Sequence, residues 1–445
     1  MEEYIWIQEP NILNDRTLAF RLCLSEGIRK YFTSYDLTFQ YDVVIGNADT
    51  GILQIPAVAS VITVALAVGA NVYIKNLDRT YLKSLSKVAS TLRNWYPEFS
   101  SSTKIIVENI VSNKFYNDGY GLLFSGGVDS TASYIRRKNK KPNLVTVFGA
   151  GIDIQSGDEN LTKKLTDFSR QEQVNLNFVK TNVDRVINRD ILYEEFGLNW
   201  WLNVYYGLFL TGICAPLTPV KNMRTLLIAS SGCTQKFRYP FGSHPSIDSN
   251  ISWADVNVVH DGYEISRQDK IKYFIKSYVK ETGCYPFLRV CTKSSQENCG
   301  NCEKCFRTIT GLVLEDIDPR KCGFNNFNSR TFDFIKESFI NGSLLKRRNL
   351  VERKGQLYIR MADVFLWQDI QKHVPETIAD SNIHGEFFKW FRDFNVLEHS
   401  QRISPMRLPR LLLGSVVQIL APLNSYFPNN LRKINRAVFR LLLGK

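Results

Sequence analysis

The residue types in Ser125-Gly126-Gly127-Val128-Asp129-Ser130 are those of a phosphate site. Adjacent glycines let a backbone turn sharply and approach a ligand closely, and the amides they expose suit phosphate oxygens when a helix begins just after them. Ser125, Ser130 and Thr131 add hydroxyl donors, and the Asp129 carboxylate suits Mg2+ among phosphate oxygens. No Gly-Lys-Ser/Thr follows, which excludes the P-loop of the common nucleoside triphosphatases. The chemistry implied is binding of a phosphate or pyrophosphate group.

Cys291-x7-Cys299-x2-Cys302-x2-Cys305 is the second group with a chemistry of its own. Short Cys-x2-Cys turns let thiolates converge on one ion, and four of them close a tetrahedral shell around Zn2+ with no position open for substrate. Such a site is structural. Four cysteines also suit an iron–sulfur cluster, so spacing alone leaves both open. Gly300 allows the first knuckle to turn, and Lys304 and Arg307 offset thiolate charge.

From residue 116 onward short apolar runs alternate with helical patterns. Strands are predicted at 122–124, 144–148, 175–179 and 225–229, and helices at 130–137, 161–173 and from 200. This alternation predicts an α/β fold, a doubly wound parallel sheet covered on both faces, whose ligands gather beyond the carboxyl ends of the strands. The loop 125–130, Phe148, Gly149 and residues 230–232 should meet at that edge, with Asp153 nearby. Residues 1–115 predict a separate α/β domain without a legible role, with strands at 41–45 and 71–74 and helices at 57–68 and 77–96. Residues 116–322 then make the domain that carries the phosphate loop and the four cysteines. Residues 323–445 form a mainly helical extension in which 332–340 and 361–373 look helical and strand signals fade.

The 445 residues, 44% of them hydrophobic and 22% charged, have the composition of an ordinary globular protein. Nine cysteines, four of them crowded together, do not form a secreted disulfide pattern, and Met1-Glu2-Glu3 opens without a basic, apolar leader. A reducing, cytoplasmic setting is expected. The uncharged stretches 52–74 and 200–217 are interrupted by Pro56, Gly69, Gly207 and Pro216, and predict buried helices rather than membrane spans. Net charge is +13, and more than half of the excess lies beyond position 400, where no acid occurs. There Ile434, Ala437, Val438, Leu441 and Leu442 recur at helical spacing beside Arg432, Lys433, Arg436 and Arg440. That is the pattern of a basic helix lying on an anionic membrane surface, with nucleic acid the less favoured partner.

The loop and the cysteines together carry a resemblance. Ser-Gly-Gly-Val-Asp-Ser resembles the signature of the PP-loop ATP pyrophosphatases, which split ATP into AMP and pyrophosphate to activate a substrate. With Cys-x7-Cys-Gly-x-Cys-x-x-Cys about 160 residues later, residues 116–322 resemble 7-cyano-7-deazaguanine synthase, a PP-loop enzyme that makes a nitrile from a carboxylate through an adenylate and an amide. The resemblance implies Cys291, Cys299, Cys302 and Cys305 as zinc ligands. It implies Ser125, Gly126, Gly127, Asp129 and Ser130 as the pyrophosphate loop, with Asp129 and Ser125 serving catalysis. Residues 265–271 stand where the family has a Lys-x-Glu-type helix start, and Tyr239-Pro240 resembles its Tyr-Pro step. The family's next residues, Asp-Cys-Arg, are here Phe241-Gly242-Ser243, which implies a different substrate.

An AMP-forming ligase is therefore expected. A carboxylate or amide oxygen of a small-molecule or acyl substrate attacks the α-phosphorus of ATP, pyrophosphate leaves with Mg2+, and ammonia or an amine displaces AMP. Two other readings stay open. One is a tRNA- or nucleotide-modifying, sulfur-transferring enzyme with Cys233 as nucleophile; the other is a non-catalytic nucleotide-binding protein. His244 is a candidate general base or substrate donor, and Asp261 and Glu264 are candidates to bind Mg2+ or orient an amine. The run Arg136-Arg137-Lys138-Asn139-Lys140-Lys141 is expected to be a solvated helix end.

Overall fold

Twelve short strands, each built where apolar residues alternate or run together, share one sheet. They are β1 Tyr4–Ile7, β2 Asn11–Leu13, β3 Thr17–Leu24, β4 Asp36–Tyr41, β5 Asn71–Asp78, β6 Ile105–Val111, β7 Gly119–Leu123, β8 Asn143–Phe148, β9 Leu176–Thr181, β10 Met223–Ala229, β11 Ser252–Trp253 and β12 Val256–Asp261. The computed structural model describes residues 2–46, 48–150, 159–232, 240–291, 297–344, 350–353, 356–359, 362–377, 384–396 and 398–399, with side chains left out over 350–363. They divide into two units, Met1–Phe327 and Asn328–Lys445. Asp153, Cys233, Tyr239 and the basic tail beyond position 400 lie outside the described residues.

The sheet runs β11-β12-β10-β7-β8-β9-β4-β3-β1-β5-β6, with β2 beside β3. Its β12, β10, β7, β8 and β9 are mutually parallel. The chain lays down β7, β8 and β9 to one side of β7, then crosses to place β10 and β12 on the other. Strand order therefore reverses between β7 and β10, the crevice where doubly wound sheets hold ligands.

Beyond β9 the sheet changes character. β4 pairs antiparallel with β9 and β3, β3 pairs antiparallel with β1, and β1, β5 and β6 form a second parallel block. The sheet is thus mixed and mostly parallel, and residues 1–115, expected as a separate domain, continue it. The strand expected at 41–45 lies earlier. Leu37, Phe39 and Tyr41 alternate inward, and this period-2 pattern outweighs the apolar run that follows. Asp42 then leaves the sheet and accepts the Phe178 amide at 2.8 Å.

Helices cover both faces. Leu122, Phe124, Leu144 and Leu227 form one core with Tyr134 of helix Val128–Arg137 and with Leu161, Leu165 and Phe168 of helix Glu159–Gln171. On the opposite face Leu123, Val145, Leu226 and Ile228 share the main core with Leu208 and Phe209 of helix Tyr206–Gly212 and with helix Ile55–Val68. Helix Ile55–Val68 is buried along almost its whole length and ends at left-handed Gly69. No helix among the described residues is long and apolar enough to cross a membrane.

The second unit has helices Thr331–Ile340, Ala362–Lys372 and Gly385–Asp393 around buried Phe339, Trp367 and Phe391. Strands Leu350–Arg353 and Gln356–Ile359 add a hairpin that the fading apolar pattern of this region did not predict.

Gly149, directly after β8, has φ +83°, and a Cβ there would fall 1.9 Å from the Thr181 carbonyl oxygen of neighbouring β9. Gly149→Ala should therefore destabilise the first unit by about 2–4 kcal/mol, read from the denaturant midpoint at unchanged m-value.

Candidate functional site

The chain leaves β7 at the strand-order reversal and turns through the glycines into helix Val128–Arg137. Gly126 is left-handed, with φ +71°, and a Cβ there would press against Leu165 at 2.9 Å. Gly127 is the N-cap, and the Thr131 amide donates to its carbonyl at 3.0 Å. Ser125 and Ser130 approach each other with hydroxyls 3.3 Å apart, and the Gly127 amide points at the Ser125 oxygen at 3.4 Å. Such long contacts hold the hydroxyls only weakly. Ser130 is buried, and the Thr131 hydroxyl is fully buried and unpartnered. Phe148 lies in the core, stacked on Phe178 with ring centroids 5.6 Å apart, so its backbone rather than its ring borders the edge.

Asp129 is engaged by two cations. Arg267 donates to one carboxylate oxygen and Lys270 to the other, the latter at 3.2 Å. Lys270 is 3% exposed and also donates to the Ser230 carbonyl at the end of β10. Burial alone would raise the Asp129 carboxyl, but Arg267 and Lys270 outweigh it and hold the group below the usual carboxylate range. Residues 125–130 and 230 do converge, as expected. The two cations, on one helix that starts at Arg267, were missed as site residues. Their signals were a basic pair three residues apart at a helix start and the place of 265–271 in the resemblance.

A second carboxylate holds the other end of the loop helix. Asp261, at the end of β12 and 1% exposed, accepts from Ser133 at 2.8 Å and from two nitrogens of Arg137 at 3.0 and 2.7 Å. Asp261, a candidate for Mg2+, is thus spent on structure. Arg137 is correspondingly not part of a merely solvated helix end. Glu264 pairs with Arg136 at 2.6 Å on the exposed side. His244 accepts the Ser246 amide on Nδ1 and meets the Tyr263 hydroxyl with Nε2, both at 3.1 Å. Both ring nitrogens are therefore occupied, and burial lowers the His244 pKa. It caps a turn, which leaves little room for a general base.

The four cysteines come together. Sγ of Cys291 is 4.0 Å from that of Cys302, Cys299 is 3.9 Å from Cys305, and all four ligand atoms lie within 4.8 Å of one another. A tetrahedral ion with bonds of ~2.3 Å needs sulfurs about 3.8 Å apart. One zinc ion fits, whereas a cluster of several irons and sulfides would need the thiolates farther apart. Asn298, 3% exposed, shapes the knuckle: its oxygen takes the Val290 and Cys291 amides and its nitrogen donates to the Leu288 and Gly323 carbonyls. No spacing rule marks it, because its role is to satisfy backbone groups brought together by the fold.

The knuckle and the glycine turn are joined. The Arg289 amide, two residues before Cys291, donates to the Gly126 carbonyl at 2.8 Å. The Arg289 carbonyl lies 3.3 Å from where a Gly127 Cβ would be, and Val128 packs in the same core as Cys291, Cys302 and Cys305. No protein-family model, curated protein or solved structure matches this chain.

Two outcomes follow from this geometry. Adding Zn2+ to the metal-free knuckle should slow amide exchange at Arg289 and across 287–291 far more than at β12 residues Val256–Asp261, as hydrogen-exchange mass spectrometry would read. For Asp129, a lowered carboxyl pKa contributes stability that is fully present above the ordinary value of about 3.9 and is lost as pH falls through and below it. The stability deficit of Asp129→Asn should therefore be constant near neutrality and close below about pH 4 in denaturant titrations.

Proposed function

We propose that the chain is an AMP-forming PP-loop enzyme, related in design to 7-cyano-7-deazaguanine synthase and acting on another substrate. The observation that carries this reading is the glycine turn at the strand-order reversal with Arg267 and Lys270 gathered over it. Amides at a helix start and two largely buried cations are what a triphosphate requires, and in a site shielded from water their charge is strongly felt. ATP would place its phosphates on Ser125, Gly126, Gly127 and Ser130, and Asp129 would hold its Mg2+ once the pairs with Arg267 and Lys270 open. The released cations then face the phosphates.

The reaction follows from that placement. A substrate carboxylate or amide oxygen attacks the α-phosphorus, the bond to the β-phosphate oxygen breaks, and pyrophosphate leaves with its charge stabilised by the turn and the cations. A carboxylate oxygen is a poor leaving group and the adenylate a good one, so ammonia or an amine can then displace AMP. Zn2+ on Cys291, Cys299, Cys302 and Cys305 takes no part in the chemistry. It would fix the segment 287–291, whose Arg289 amide meets the Gly126 carbonyl.

The purified protein should contain about one zinc and no sulfide per chain by mass spectrometry, and Cys302→Ser should lose both metal and solubility. α-32P-labelled ATP incubated with enzyme and candidate acids should yield AMP alone. Ser125→Ala and Asp129→Ala should each cut that yield about 100-fold or more while thermal unfolding shows a folded protein. Labelled ADP as the product would reject the reading, and tight ATP binding without any turnover would favour a nucleotide-binding protein instead.

A further inference from the structure

The twelve-stranded sheet has two edges, and only one of them is guarded. β11 is two residues long, too short to template another strand. β6 is seven residues long and pairs with β5 in one register, from Val72 beside Ile105 to Asp78 beside Val111. Natural edge strands are blunted by proline, lysine, a bulge or a covering segment. Ile105-Ile106-Val107-Glu108-Asn109-Ile110-Val111 has no proline, no lysine and no break in register, and β5 is its only paired strand among the described residues. Ile106 and Ile110 are exposed, as are Glu108 and Asn109 between them.

Which backbone groups lie bare follows from the pairing. The Val72 amide donates to the Lys104 carbonyl at 2.9 Å, so residue 104 turns its backbone groups toward β5. In a strand these groups point to opposite sides at successive residues. Residues 106, 108 and 110 therefore also face β5, while 105, 107, 109 and 111 present their amides and carbonyls at the open edge. Side chains alternate as well. Ile106 stands beside Tyr73 and Tyr73 beside exposed Trp6, an apolar row that reaches the edge on one face. Val107 and Val111 lie half-buried on the other face.

This edge is complementary to itself. Two copies related by a twofold axis normal to the sheet set their β6 strands antiparallel, and the bare groups meet when odd-numbered residues lie opposite one another. Centred on Glu108, the pairing would set that carboxylate against its own copy, a like-charge contact directly across the strands. Centred on Val107, it would set Ile105 against Asn109. Centred on Asn109, it sets Val107 against Val111 of the second copy, Asn109 against Asn109 and Glu108 against Ile110. The β-branched pair then occurs twice, no like charges meet, and the outward amides and carbonyls of 107, 109 and 111 all find partners.

We infer that β6 is a self-association edge: two copies of this chain pair antiparallel through it, centred on Asn109, and join their sheets into one. A ladder this short buries less than a standard protein interface, so the dimer should dissociate in the range of ~1–100 µM.

Sedimentation velocity of the full-length protein over a concentration series tests this, with amide exchange of 105–111 followed on the same samples. The parent should pass from monomer to dimer, and exchange across 105–111 should slow at the same midpoint. Ile110→Glu places a carboxylate opposite Glu108 of the second copy, twice by symmetry, and should weaken association about tenfold or more. Ile110→Lys places an ammonium there instead and should leave the dimer intact. Asn109→Pro removes an outward amide hydrogen without touching the bonds to β5, and should abolish the dimer. A parent that stays monomeric, a dimer indifferent to Ile110→Glu, or equal loss with Ile110→Lys would overturn the inference. So would exchange across 105–111 that does not depend on concentration, because another segment of the same chain or another surface would then be responsible. If circular dichroism shows that the variants do not fold, the exchange of the parent decides alone.

Discussion

A carboxylate taken out of water must be paired, and two such carboxylates fix the position of the glycine turn. Asp129 lies inside the first turn of helix Val128–Arg137 and draws Arg267 and Lys270 onto it. Asp261 takes the far end of the same helix through Arg137. Removing one partner of a buried pair typically costs about 3–5 kcal/mol, much more than a surface ion pair contributes. The turn is therefore held by charge as well as by packing, with both cations engaged on Asp129.

The cysteine knuckle adds a third restraint. Its sulfurs stand at the separation one tetrahedral ion requires, and the segment leading into Cys291 delivers the Arg289 amide to Gly126. Without a cation four thiols must share protons: hydrogen bonding from Cys305 holds Cys302 down to about 4, while Cys305 is pushed up. A metal would replace those protons and lock the segment. An ion held there would restrain the glycine turn without touching it.

The amino-terminal part serves a different purpose. A parallel sheet has exposed edges, and β9 would be one. β4 covers it antiparallel, in register Phe39 with Thr181, and carries the sheet into the block β1-β5-β6. Helix Ile55–Val68 and helix Tyr206–Gly212 then share one core. The uncharged stretches that contain them are apolar because they are buried between sheet and helices, in keeping with their length and interruptions.

Local pattern was enough to determine much of this. Strand-turn-helix punctuation identified the turn at 125–130, cysteine spacing identified four thiols able to converge on one ion, and alternation from 116 onward identified the parallel block, because each depends on residues close in the chain. Long-range pairing was not legible. That Asp261 is a clamp and not a metal ligand depends on Arg137, 124 residues away. The union of residues 1–115 with the rest depends on the β4–β9 register, which period-2 patterns far apart in the chain do not encode. Lys270 and Arg267 became site residues only when helix packing brought them to Asp129. His260 Nε2 and Asp248 Oδ1 are without a partner only because tertiary structure shut them from water. Sequence alone determined which groups this protein can use; the fold decided which are spent on holding it together and which are left to act.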